Sequence, residues 1–162
     1  MSSGVRILQE AEAATRGGTE ILSVAEAVLY VTDISHAEKF YTEVLSLPIS
    51  AQFEDAIFLQ TGQNSTLILF DINKLATRQS IIPAHGARGQ GHVCLAIPPE
   101  QMDGWRARLL AHGIEIEHEQ DWSLGTHSIY FRDPDGNSLE LMDGRHYHRV
   151  WRKMQEKADT AY

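Results

Sequence analysis

The chain has 162 residues, of which 43% are hydrophobic and 22% charged, with a formal net charge of −8 and an isoelectric point near 5.4. This length and composition fit one globular domain, or two small similar units, with a proper hydrophobic core. The negative charge argues against nucleic acid and anionic membrane surfaces as partners. A single cysteine excludes an internal disulfide framework and a zinc site built from cysteines.

The ends of the chain carry no sign of membrane insertion or export. No apolar run approaches the ~18 residues that a membrane span needs, and the N-terminus has no signal-peptide core. We therefore expect a soluble protein of a reducing compartment, the cytoplasm. Residues 1–20, rich in Ala, Glu, Ser and Gly, are predicted to form a flexible arm before a domain over residues 21–143.

The first unit of that domain spans residues 24–71 and begins with the strand EAVLYVTD, residues 26–33. Alternation along this strand predicts one face that carries leucine and valine and an opposite face that carries Glu26 and Tyr30. Ser35 followed by Glu38 has the form of a capping box, which predicts a helix from that point. Pro48 is expected to end the helix. Three short strands are then predicted near residues 49–53, 56–60 and 65–70.

The second unit spans residues 91–143 and follows the same order. Its first strand is HVCLAI, residues 92–97. A helix is predicted to open at Pro98-Pro99-Glu100 and to end at Gly113. Strands are expected at 114–119, 128–132 and 138–142, with the turn Asp133-Pro134-Asp135-Gly136 before the last strand.

The two units can be laid over each other without gaps. IFLQTGQNSTLILF, residues 57–70, then matches IYFRDPDGNSLELM, residues 129–142, and Glu26 falls on His92. The sequence therefore predicts an α+β fold in which two β-α-β-β-β modules, joined by residues 72–91, form a curved mixed sheet. A last amphipathic helix is predicted over residues 144–157, within a C-terminal segment that ends at residue 162.

Three polar side chains are predicted on the sheet faces opposite the helices: Glu26, His92 and Glu140. If the two units pair by a pseudo-twofold, these side chains meet in one cleft. Two carboxylates and one imidazole suit a divalent metal ion that keeps positions open for a substrate. The alternatives are an ion-paired carboxylate at a sheet edge, a hydrogen-bonded interior histidine, and an exposed glutamate at the start of a strand.

Four further side chains are candidates for the substrate cleft: Tyr30, Cys94, His127 and Tyr130. The tyrosines could hydrogen-bond a substrate, and core packing with a polar tip is the alternative for both. Cys94 shares a face with His92, although most such residues are small core hydrophobes. His127, just before a predicted strand, could act as an acid or base near the site.

The segments EAVLYVTDISHAEKFYTEVLSLPI, GHVCLAI and SIYFRDPDGNSLELMD together resemble the vicinal oxygen chelate superfamily. This group includes glyoxalase I, fosfomycin-resistance proteins, methylmalonyl-CoA epimerase, extradiol dioxygenases and bleomycin-resistance proteins. The resemblance covers residues 24–143, and the DPDGN turn with a glutamate four positions after Gly136 carries it best. It implies metal ligands at Glu26, His92 and Glu140, a small-molecule substrate and a homodimer.

The chain departs from the named members at two positions. Glyoxalase I and the epimerase use a fourth ligand at the position that the repeat alignment gives to Ile68, which cannot bind a metal. The fosfomycin and extradiol groups normally have histidine where this chain has Glu26. The resemblance therefore implies the superfamily without one particular activity.

The expected function is that of a metal-dependent isomerase, lyase or epimerase whose substrate chelates the ion through two adjacent oxygens. Glu26 and Glu140 are the predicted catalytic carboxylates, with Glu26 as the base. The divalent ion is Ni, Co, Mn, Zn or Fe(II), since all tolerate this donor set. The alternatives are an Fe(II) extradiol dioxygenase and a metal-free protein that binds and sequesters an antibiotic.

Overall fold

The structure is a computed structural model that describes residues 23–77, 83, 85–122 and 125–144. The predicted N-terminal arm and the predicted last helix beyond Gly144 lie outside the described residues. Within the described residues, no helix is both long and apolar enough to cross a membrane.

The first unit forms a four-stranded mixed sheet with the order β1-β4-β3-β2. Strands β1 and β4 are parallel, and the other neighbouring pairs are antiparallel. Its elements are β1 (Glu26–Val31), α1 (Ile34–Lys39) with a π-helical continuation (Phe40–Val44), β2 (Ile49–Gln52), β3 (Ala56–Gln60), β4 (Thr66–Asp71) and a short helix α2 (Ile72–Leu75).

The second unit repeats this arrangement with the sheet order β5-β8-β7-β6, in which β5 and β8 are parallel. The α+β class and the two β-α-β-β-β modules are therefore confirmed, as two four-stranded mixed sheets. The elements of this unit are β5 (His92–Ile97), a 3-10 turn (Pro99–Gln101), α3 (Met102–Ala111), β6 (His118–Trp122), β7 (Thr126–Arg132) and β8 (Ser138–Asp143).

The strand registers confirm that the two units are equivalent. Glu26 of β1 lies opposite Thr66 of β4, and His92 of β5 lies opposite Ser138 of β8. Both residues therefore stand at the first position of the parallel strand pair in their own sheet. The overlay of Glu26 on His92 is correct at the level of the backbone.

The start of the first helix differs from the prediction. The N-cap is Asp33, whose carboxylate accepts hydrogen bonds from the backbone N–H groups of Ser35 and His36, both at 3.0 Å. The helix therefore begins at Ile34, and the capping box that was predicted from Ser35 and Glu38 is wrong. An aspartate in extended conformation satisfies the free N–H groups of the first turn as well as a serine does.

The strand predicted over residues 114–119 is displaced toward the C-terminus and forms over His118–Trp122. Ile114 and Ile116 are partly buried against the core before the strand begins. These two isoleucines pack against the core although they lie outside the sheet. The alternation of hydrophobic residues therefore predicted a strand that begins too early.

One hydrophobic core is shared by both units. Val31 and Tyr41 from the first unit and Leu109 and Leu139 from the second belong to the same buried cluster. Alternate residues of each unit's first strand face this core, so the residues between them face away from it. Val28, Tyr30, Ile68 and Phe70 pack into a smaller cluster on the outer face of the first sheet.

The turn Asp133-Pro134-Asp135-Gly136 joins the two units. Asp133 is 4% exposed. Its carboxylate accepts hydrogen bonds from the Tyr41 hydroxyl at 2.8 Å and from the Asn137 side-chain amide at 2.8 Å. The Asp135 carboxylate accepts the backbone N–H of Thr32 at 2.7 Å. Because Tyr41 and Thr32 belong to the first unit, this turn fixes the end of β1 against the start of β8.

Replacing Tyr41 with phenylalanine should lower the free energy of unfolding by about 1–3 kcal/mol, since it removes a buried hydrogen bond to a carboxylate. Denaturant unfolding of Tyr41→Phe against the wild type measures this loss. Tyr30→Phe is the matched control, because it removes a hydroxyl that bonds His85 at an exposed position, and it should change stability by less than about 0.5 kcal/mol. Equal midpoints for Tyr41→Phe and the wild type would contradict the role of the turn.

Candidate functional site

Glu140 lies in the middle of β8, between Leu139 and Leu141, which both belong to the buried core. Strand alternation therefore directs its carboxylate to the outer face of the second sheet, where the residue is only 5% exposed. The Ser128 hydroxyl donates a hydrogen bond to Oε1 at 2.6 Å. Oε2 lies 3.4 Å from Nε2 of His92. The two oxygens thus have different neighbours.

The imidazole of His92 is oriented by the backbone of β8. Its Nδ1 lies 3.1 Å from the carbonyl oxygen of Ser138, which can only accept a hydrogen bond. Nδ1 therefore carries a proton, and in the neutral ring the lone pair of Nε2 points toward Glu140. Metal-binding histidines commonly have this arrangement, with the second ring nitrogen donating to a backbone carbonyl.

The pair fits a divalent metal ion. In the neutral ring, two acceptors, Nε2 of His92 and Oε2 of Glu140, face each other at 3.4 Å. Two ligands that each lie about 2.1 Å from a tetrahedral ion are about 3.4 Å apart. The His92 side chain is half exposed, so further ligands can approach from the solvent side. A buried carboxylate also needs a compensating charge.

Cys94 and Tyr130 stand on either side of Glu140 across the sheet, since both are its direct partners in register. Cys94 is exposed, yet partial desolvation of its thiol against the sheet, and then the charge of Glu140, raise its pKa to about 12. Burial and a hydrogen bond to Glu140 likewise raise the pKa of Tyr130 to about 12. Both groups therefore keep their protons at neutral pH. The Tyr130 ring also stacks on the ring of His92, with 6.4 Å between the two ring centroids.

The contacts of Ser128 were missed by the sequence analysis. Its hydroxyl accepts a hydrogen bond from Nε1 of Trp122 at 2.9 Å while it donates to Glu140. The sequence did contain a sign that Ser128 lies near the site, because it precedes Tyr130 by two residues in β7 and so shares its face. A serine in a strand has no distinctive pattern, however, and its partner on β6 depends on the register.

Glu26 is placed apart from this pair. Glu26 is exposed, and its side chain has no hydrogen-bond or ion-pair partner among the described residues. It lines a groove of about 490 Å³ between the two units with Cys94, Val93 and Trp105, and neither His92 nor Glu140 lines that groove. Among the described residues, no three His, Cys, Asp or Glu side chains are close enough to hold a metal ion.

The remaining two candidates have other surroundings. Tyr30 lies on the first sheet, with its hydroxyl 2.9 Å from Nδ1 of His85, a residue that the sequence analysis did not single out. His127 lies on the opposite face of β7 from Tyr130. There it contacts Glu119 and Asp121 through its two ring nitrogens, at 2.7 Å and 2.6 Å. His127 is therefore not beside Glu140.

Comparison with known proteins gives one consistent family. The protein-family model described as Glyoxalase/Bleomycin resistance protein/Dioxygenase superfamily matches residues 23–141. A solved structure titled lactoylglutathione lyase, from Agrobacterium tumefaciens, superposes with a TM-score of 0.73 at 34% identity, covering 80% of this chain and 98% of that one.

Curated relatives include enzymes of two kinds. The metallothiol transferase FosB of Bacillus licheniformis is 26% identical over 148 residues, which cover 88% of this chain and 89% of the relative. The catechol-2,3-dioxygenase of Bacillus subtilis is 25% identical over 75% of this chain, which spans only 41% of that relative.

The raised pKa of Cys94 predicts slow alkylation. Iodoacetamide reacts with the thiolate, so in metal-free protein at pH 8 the reaction should be on the order of 100-fold slower than with free cysteine. It should accelerate with pH well above 9, and Glu140→Gln should speed it at every pH by removing the adjacent negative charge. Mass spectrometry gives a clean rate because Cys94 is the single cysteine. A rate profile with a pKa near 8.5 would contradict the described surroundings of the thiol.

Proposed function

Because the chain belongs to the glyoxalase/bleomycin resistance protein/dioxygenase superfamily, we propose that it is a metal-dependent enzyme of the glyoxalase type. It acts on a small molecule with two adjacent oxygens and isomerises, cleaves or epimerises it. The observation that supports this most is Nε2 of His92 at 3.4 Å from the buried Glu140 carboxylate, with Nδ1 of the same ring held by the Ser138 carbonyl. Ni, Co, Mn, Zn and Fe(II) all accept this donor set.

His92 and Glu140 would hold the ion from one sheet, and Glu26 would be the third ligand. A bound divalent ion polarises a coordinated substrate oxygen and stabilises negative charge that develops on it. Glu26 is the base that removes the proton. The Glu26 carboxylate is exposed and has no partner among the described residues, whereas Glu140 is buried, with Oε1 accepting the Ser128 hydroxyl and Oε2 facing His92.

Tyr130 has a complementary role. Its phenol, with a pKa raised to about 12, keeps its proton at neutral pH beside the Glu140 carboxylate. That proton is shared with Glu140 in the metal-free protein; with the carboxylate bound to a metal ion, the hydroxyl would be free to donate a hydrogen bond to a substrate oxygen that gains charge in the reaction. The Tyr130 ring stacks on the ring of His92, so this hydroxyl belongs to a residue next to the proposed metal ligand.

The third ligand comes from a second copy of the chain. Within the described part of one chain Glu26 opens to a groove that neither His92 nor Glu140 lines, and the imidazole of His92 is half exposed. Members of the superfamily commonly form dimers. Since Glu26 and His92 are equivalent positions of the two units, a dimer that pairs the first unit of one copy with the second unit of the other can bring them to one ion.

Two other functions are less well supported. An Fe(II) dioxygenase usually binds iron through two histidines and one carboxylate, and this chain offers one histidine and two carboxylates. A metal-free binding protein has no need of a carboxylate and an imidazole that converge on the same face of a sheet. Oxygen uptake with catechols after anaerobic iron loading tests the first, and metal content with and without EDTA tests the second.

Glu26→Gln should retain much of the metal and lose turnover by about 10²–10⁴-fold, because the amide cannot accept the proton. Metal content is measured by mass spectrometry. Turnover is followed with lactoylglutathione, the compound in the name of the solved structure with 34% identity, and with other substrates that carry adjacent oxygens. Glu140→Gln is the comparison, and it should lose the metal itself. Unchanged turnover in Glu26→Gln would remove Glu26 from the mechanism.

Mixing two inactive variants tests whether the site is shared between copies. Glu26→Ala and Glu140→Ala homodimers should each have both sites broken. Their heterodimer should regain one intact site, with one bound metal ion and about half of the wild-type turnover per dimer. Differently tagged chains that are co-expressed and purified through both tags provide this heterodimer.

The matched control is the pair His92→Ala and Glu140→Ala, whose altered residues lie on the same sheet. Their heterodimer should regain nothing, since each site still lacks one ligand. If the Glu26→Ala and Glu140→Ala heterodimer also remains empty while the wild type binds metal, the three ligands do not come from two copies.

A further inference from the structure

A directional hydrogen-bond chain runs from β6 through β7 to β8 behind the proposed metal ligand. It connects Nε1 of Trp122 to the hydroxyl of Ser128 at 2.9 Å, and that hydroxyl to Oε1 of Glu140 at 2.6 Å. Ser128 is fully buried, so water does not compete for its hydroxyl. The three groups therefore depend on one another for their hydrogen bonds.

The direction of the chain follows from the chemistry of its members. An indole N–H can only donate, so the oxygen of Ser128 is the acceptor in the first bond. With that lone pair occupied, the serine proton is available to the carboxylate of Glu140, which accepts it at Oε1. Oε2 is left facing His92 at 3.4 Å. The chain thus selects which carboxylate oxygen is presented to the imidazole.

The first member of this chain is held in place by ion pairs on the other side of β6. Glu119 of the same strand binds the guanidinium of Arg106 on α3 at 2.7 Å, and His127 of β7 lies 2.7 Å from the same carboxylate. The guanidinium hydrogen bond lowers the pKa of Glu119 and so favours its charged form. β6, which carries Trp122, is therefore fixed to α3 and to β7.

From this geometry we propose that Ser128 and Trp122 are positioning residues for the metal ligand Glu140. Ser128 holds Oε1 so that Oε2 is free to bind the ion beside His92, and Trp122 acts through Ser128 by orienting its hydroxyl. The inference rests on the proposed function, because it assumes that the pair binds a metal ion. Neither residue contacts the ion or the substrate.

The test is the affinity of the protein for Co²⁺, measured by calorimetry and by the visible absorption bands of bound cobalt. Ser128→Ala should weaken binding about 10–100-fold, as expected when an outer hydrogen-bond partner of a metal ligand is lost. Trp122→Phe should weaken it on the order of fivefold. The double variant should bind as weakly as Ser128→Ala alone, because Trp122 acts only through the serine.

Ser50→Ala is the matched control, since Ser50 is a strand serine of the first sheet whose hydroxyl donates to the backbone carbonyl of Phe58. It should leave the affinity and the cobalt spectrum unchanged. Ser128→Ala also removes a buried hydrogen bond to a carboxylate and should lower the melting temperature of the metal-free protein. Affinities are therefore measured at a temperature at which circular dichroism shows every metal-free variant to be folded.

The outcomes separate this inference from the proposed function. A wild type that binds no Co²⁺ overturns both. A wild type that binds Co²⁺ with an affinity that Ser128→Ala leaves unchanged overturns the positioning role alone. Additive losses in the double variant overturn the chain from Trp122, because they require Trp122 to act by another route. Trp122→Phe keeps the test valid if Ser128→Ala does not fold.

Discussion

The contact between Glu140 and His92 is the constraint on which the proposed chemistry depends. The neighbouring leucines of β8 occupy the core, so the carboxylate has to face outward, and on that side it is still almost completely buried. Burying a carboxylate costs free energy unless hydrogen bonds and opposite charge compensate for it. The Ser128 hydroxyl donates one hydrogen bond to the carboxylate, and Nε2 of His92 is a nitrogen that can bind a cation beside it. The surrounding fold keeps these groups in one place.

The DPDGN turn is the sequence feature that carried the family resemblance best, yet its side chains form structural contacts. Asp133 accepts a hydroxyl from the first unit, and Asp135 accepts the backbone N–H that follows β1. The turn thereby sets where β8 begins, and Glu140 follows Gly136 by four residues. A motif can thus mark the proposed metal ligand through the geometry that it fixes, while its own side chains form structural contacts.

The two units have equivalent backbones and different outer faces. On the first sheet, Ile68 and Phe70 pack with Tyr30 into an apolar cluster, and His85 from the connecting segment lies against Phe70 at 4.9 Å. On the second sheet the position equivalent to Ile68 is Glu140, which collects polar neighbours. The duplication thus provides one apolar face and one face suited to a metal ion, with Glu26 as the polar exception on the apolar side.

Much of this arrangement could be predicted from the sequence, because strands alternate with a period of two and the two halves share their order of elements. That period placed Glu26, His92 and Glu140 on outer faces. It could not place the units against each other, so the expectation that Glu26 and His92 meet in one cleft depended on an assumed pseudo-twofold. It also missed Ser128, since a hydroxyl gains its role from a partner on another strand. The start of α1 was misplaced because Asp33 and Ser35 are both good caps.

The most direct test of the central claim is anomalous diffraction from crystals of the Co²⁺-loaded protein, recorded on both sides of the cobalt absorption edge. One peak per chain is expected, between Nε2 of His92 and Oε2 of Glu140, with the carboxylate of Glu26 from a second copy within bonding distance. A cobalt peak away from this pair, or none in protein soaked to saturation, would contradict it.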